Sequence, residues 1–115
     1  MHRYLAKLMF NINIDNGTHN TQFDEQTRLL EARNIEDAFH KARAIGKQEE
    51  ETFVNHDNKL VDWKFIDVTD LYALEQLKDG EQIYSTTYER EDANSFIRFI
   101  RQKSMVIQAK SLTFA

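Results

Sequence analysis

Leu60-Val61-Asp62-Trp63-Lys64-Phe65-Ile66-Asp67-Val68-Thr69-Asp70-Leu71 is the stretch on which the fold turns. Val61, Trp63 and Phe65 alternate along one side, and Leu60, Ile66 and Val68 fall on the other. A period of two is the mark of a strand, since successive side chains point to opposite faces. Apolar residues on both sides predict a central strand.

Working outward, Tyr4 to Ile14 alternates as well. Tyr4, Ala6, Leu8, Phe10, Ile12 and Ile14 share one face. Asp15-Asn16-Gly17 breaks the run, because Asn and Gly tolerate the positive φ of a reversal. A polar loop to about Gln22 leads to a second, more polar strand over Phe23 to Ala32. Asn34 is a good helix N-cap, and Glu36 and Asp37 oppose the positive end of the helix dipole. Ile35, Ala38, Phe39, Ala42 and Ile45 form a helical stripe, and the spacing predicts a helix crossing Gly46 and running to about Val54.

Asn55-His56-Asp57-Asn58 has turn chemistry, and the strand from Leu60 to Leu71 follows it. Leu71 to Leu77 is expected as a short helical turn or irregular cover, Asp79-Gly80 as a sharp turn, and Glu81 to Tyr88 as the fourth strand. A second helix is expected after Glu91-Asp92, with Ala93, Phe96, Ile97, Ile100 and Ile107 on its stripe and a tail, Ser111 to Ala115, that frays or docks. The expected fold class is α+β, in the order β-β-α-β-β-α. The sheet is four-stranded and mainly antiparallel, both helices lie on one face, and residues 1–115 form a single domain.

Composition narrows the function classes. The chain has no cysteine, which excludes disulfides, thiolate nucleophiles and cysteine-based zinc sites. No apolar run approaches the ~20 residues that span a bilayer, and Met1-His2-Arg3-Tyr4 does not open a signal peptide, so a cytoplasmic protein is expected. The net charge of −4 argues against nucleic acid as a partner. The charge is uneven. Arg98, Arg101, Lys103 and Lys110 stand in a run without an acid, leaving 11 Lys and Arg against 19 Asp and Glu elsewhere.

Three stretches together resemble a known family. They are Tyr4-Leu5-Ala6-Lys7-Leu8, then Leu29-Leu30-Glu31-Ala32 with Glu36-Asp37-Ala38-Phe39-His40-Lys41-Ala42, then Trp63-Lys64-Phe65-Ile66-Asp67-Val68-Thr69-Asp70-Leu71. The family is the bacterial domain-of-unknown-function family numbered 4288, and the similarity runs in order over roughly residues 4 to 84. This chain differs in a longer polar loop between its first strands and an extra basic C-terminal stretch. The resemblance implies a soluble bacterial single domain. The family has no established activity, so no functional residue is carried over.

The motif search identifies no catalytic, cofactor or metal site. His2, His19, His40 and His56 lack metal-ligand spacing, and Gly17, Gly46 and Gly80 are too isolated to cradle a phosphate. Among the carboxylates, Asp67 is the first candidate for burial and hence for acid-base work. Arg98 and Arg101, one helical turn apart, suit phosphates or a partner's carboxylates, although cations near a helix C-terminus also complement its dipole. The leading expectation is therefore a non-enzymatic interaction domain, a homodimer through the sheet's open face or the site of a protein partner. Its candidate surface is Val61, Trp63, Phe65, Arg98 and Arg101. The alternatives are a small enzyme built around Asp67 and an acidic partner or inhibitor of a basic protein.

Overall fold

The computed structural model describes residues 1–17, 20–75 and 77–114, with side chains up to Lys110. His19 and the tail beyond Lys110, whose docking was an open expectation, lie outside the described residues and side chains. The chain divides into two compact units, Met1–Glu81 and Gln82–Ala115, each described by itself.

The first unit is an antiparallel sheet with one helix against it. Strands β1 (His2–Ile14), β2 (Gln22–Ala32), β3 (Glu51–Val54) and β4 (Leu60–Leu74) stand in the order β2-β1-β4-β3. Helix α1 (Ile35–Gln48) lies between β2 and β3 in sequence, and α2 (Ala93–Phe114) forms most of the second unit. The α+β class and the β-β-α-β-β-α order agree with the sequence reading.

Each start signal has a visible cause. Asp15, Asn16 and Gly17 all take positive φ where β1 turns toward β2. The Asn34 Oδ1 accepts the Asp37 N–H at 2.8 Å, satisfying one of the free amides of the first turn of α1. Tyr4, Ala6, Leu8 and Phe10 of β1 then pack with Leu30 and Ala32 of β2, Phe65 of β4, and Ala38 and Ala42 of α1 to form the core.

Three assignments are corrected. The helix expected to reach Val54 stops at Gln48, and Glu51–Val54 is instead β3, paired with Leu60–Trp63. The turn between them explains this outcome. Asn55 Oδ1 accepts from the N–H groups of Asp57 and Lys59, and Asn58 takes the left-handed conformation, so Thr52-Phe53-Val54 is folded back into a hairpin. Residues 81–88, expected as the fourth strand, form none, since Ile83 alone supplies an apolar anchor among polar residues. Leu71 to Leu74, expected as an irregular cover, continue β4.

The apolar residues on both sides of Leu60–Leu71 also have an explanation. The register of β4 against β1 slips twice, between Phe10 and Met9 and again between Leu8 and Lys7, leaving Ile66 and Thr69 as extra residues. Each bulge shifts the alternation by one. Val61, Trp63, Phe65, Val68 and Leu71 therefore all serve the α1 side of the sheet: Val61 and Phe65 are buried, and Trp63, Val68 and Leu71 pack against the core cluster. The strand does not present two apolar faces.

Candidate functional site

With those residues turned inward, the sequence-derived surface separates. Val61 is 5% exposed and Phe65 9%. Trp63 is half-buried, its ring 6.0 Å from that of Phe10. Val61 and Phe65 are therefore corrected from surface to core residues. Arg98 and Arg101 are exposed on α2 in the second unit, beside Asn94 and Gln102. Val61, Trp63 and Phe65 thus belong to the first unit, and Arg98 and Arg101 to the second.

Asp67, the enzymatic candidate, is held in a two-pronged ion pair. Arg43 Nε donates to Oδ1 and Arg43 Nη2 to Oδ2, each at 3.0 Å. These bonds, helped by the Val68 N–H, hold the carboxyl below its ordinary value. A general acid needs the opposite shift. The pair instead ties α1 to β4, with Arg43 also lying over the Phe39 ring at 4.3 Å. His40 faces Glu36 at 3.9 Å, and among the described residues no group of three His, Asp or Glu side chains could hold a metal ion.

Three surfaces of the first unit remain. The first is the part of the α1 side that the helix cannot reach. Fourteen residues of helix span ~21 Å, and thirteen residues of strand span ~44 Å. Beyond the end of α1, Gln26, Glu49, Glu51, Phe53 and Trp63 line a hollow of about 270 Å³, just below the range for ligand pockets. Its polar wall is already internally bonded, since Gln26 donates to Asp24 and Arg28 reaches both Gln26 and Glu49.

The second surface is a groove near the N-terminus of α1, lined by His2, Arg3, Arg33 and Glu75 among others. Its two arginines are paired, Arg3 with Glu31 and Arg33 with Asp37.

The third is the face turned away from α1. Register places Leu5 between Leu29 and Tyr72, Lys7 between Thr27 and Asp70, and Asn11 between Phe23 and Lys64. Its middle is polar, with Lys7 Nζ 3.2 Å from Glu25. Its apolar side chains sit toward the margins: Leu29 is 59% exposed, Phe23 64% and Tyr72 39%. Sequence reasoning missed Phe23 and Leu29 as surface candidates, although their six-residue separation puts both on one side of β2.

The comparisons with known proteins give one match. A family model described as a domain of unknown function, DUF4288, matches residues 3–85. No curated protein and no solved structure matches the chain. Among the described residues, no helix is long and apolar enough to cross a membrane.

Proposed function

The chain belongs to the DUF4288 family of domains of unknown function, and from that premise we propose that it is a non-enzymatic interaction domain that associates with a second copy through its sheet, covering apolar side chains of the face turned away from α1. The observation that carries this reading is the exposure of Phe23 and Leu29 on the same side of one strand. Their surroundings suit association. Interfaces between independently folded partners are only slightly more than half apolar, so a charged neighbour such as the half-exposed Glu25 belongs in one.

The same reading sets the protein in the reducing cytoplasm of a bacterium, where a chain without cysteine forgoes nothing. The pairing of Asp67 with Arg43 supports binding over acid-base chemistry. Sedimentation or light scattering over a concentration series tests the proposal. A dimer at tens of micromolar is expected, and a monomer at every concentration would contradict it.

A further inference from the structure

We infer that two copies join by antiparallel pairing of β2 with β2, centred on Gln26, into one continuous eight-stranded sheet. This rests on the self-association proposed above and specifies its geometry.

The two edges of the sheet are treated differently by the sequence. On one side β3 is four residues long, and β4 carries two bulges, both of which discourage pairing with another chain. On the other side β2 pairs with β1 without a slip from Gln22 to Ala32, and it contains neither lysine nor proline. Eleven residues of regular strand are left with one edge unpaired by any strand among the described residues.

Which main-chain groups point outward follows from two hydrogen bonds. The Glu31 carbonyl accepts from Lys41 Nζ at 2.9 Å, so it faces away from β1. The Lys7 carbonyl accepts from Thr69 Oγ1 on the β4 side, so its partner Thr27 also directs its main chain outward. By alternation, Phe23, Glu25, Thr27, Leu29 and Glu31 present the free edge.

The segment Phe23-Asp24-Glu25-Gln26-Thr27-Arg28-Leu29 is complementary to itself when reversed. With Gln26 on the two-fold axis, Phe23 meets the other copy's Leu29, Asp24 meets Arg28, and Glu25 meets Thr27. Phe23–Leu29 and Glu25–Thr27 become the hydrogen-bonded pairs. Asp24–Arg28 becomes a non-hydrogen-bonded pair, whose side chains approach most closely. Neighbouring registers lose this match: centring on Glu25 sets Glu25 against itself, and centring on Thr27 sets Phe23 against Glu31. The chosen register also covers both apolar side chains that the sheet leaves exposed on β2.

The test is light scattering and sedimentation on the full chain and three variants. Proline is tolerated on an edge strand where its nitrogen faces solvent, so Thr27→Pro is expected to keep the native circular dichroism and weaken the dimer by at least about tenfold. Phe23→Lys is expected to weaken it about tenfold, and adding Leu29→Glu is expected to restore it by setting Lys opposite Glu across the axis. That rescue carries the test if Thr27→Pro does not fold. A folded Thr27→Pro variant that dimerises like the parent, or a double variant no tighter than Phe23→Lys, overturns the edge geometry and leaves self-association standing. A parent chain that is monomeric throughout overturns both.

Discussion

Gly46 lies against the ring of Phe65 so closely that a methyl group on its Cα would overlap three ring carbons. This glycine is thus a contact surface inside α1, where the helix meets β4, rather than a helix terminator. Gly46→Ala should gain up to ~1 kcal/mol in helix propensity and lose ~1–3 kcal/mol to overpacking. A net loss of stability by urea denaturation is expected, smaller when Phe65→Leu is also present. Stabilisation by Gly46→Ala alone would show that the contact relaxes freely.

The N-cap of α1 gives a second expectation. Asn34 Oδ1 accepts the Asp37 N–H, so Asn34→Ala should cost ~1 kcal/mol and Asn34→Asp much less. Equal losses for the two variants would mean that the side-chain oxygen is not the stabilising group.

The pairing of Arg43 with Asp67 predicts a pH dependence of definite sign. The folded-state pKa of Asp67 lies below its unfolded value, first through the Arg43 hydrogen bonds. A depressed carboxyl stabilises the fold above the unfolded value of ~3.9, and that contribution fades as the pH falls through the lower folded value. Asp67→Asn should therefore lower stability by a small constant amount at neutral and alkaline pH and flatten the acid side of the profile, where the contribution has already faded. The pair is solvent-exposed, so the effect is small. A profile unchanged by the substitution would remove this role.

All residues of the core cluster lie between Tyr4 and Leu71, inside the unit that ends at Glu81. A chain ended after Ser85 should therefore keep a cooperative thermal transition by far-ultraviolet circular dichroism. A broad, non-cooperative melt would show that residues 86–115 are required for the fold.

What the sequence made legible follows how local each signal is. The alternation of Tyr4 to Ile14, the Asp15-Asn16-Gly17 reversal and the Asn34 cap are written in adjacent residues, and the structure matches them. The end of α1 was not legible, because Gln48 to Glu51 suit a helix and only pairing with Leu60–Trp63 makes the next residues a strand. The bulges at Ile66 and Thr69 were hidden for the same reason. A register slip is a relation between two strands, and in one strand alone it imitates apolar residues on both faces. That is why the sequence alone points to Val61 and Phe65 as surface residues, while Phe23 and Leu29 stand on a strand whose sequence is merely polar.

The most direct test of association through the β2 edge of the sheet is residue-resolved amide hydrogen exchange on the full chain, dilute and concentrated. Added protection with concentration is predicted at Phe23, Glu25, Thr27 and Leu29, while the amides of β1, already bonded on both sides, stay as they were. Exchange that is the same at both concentrations at every one of those four amides would contradict it.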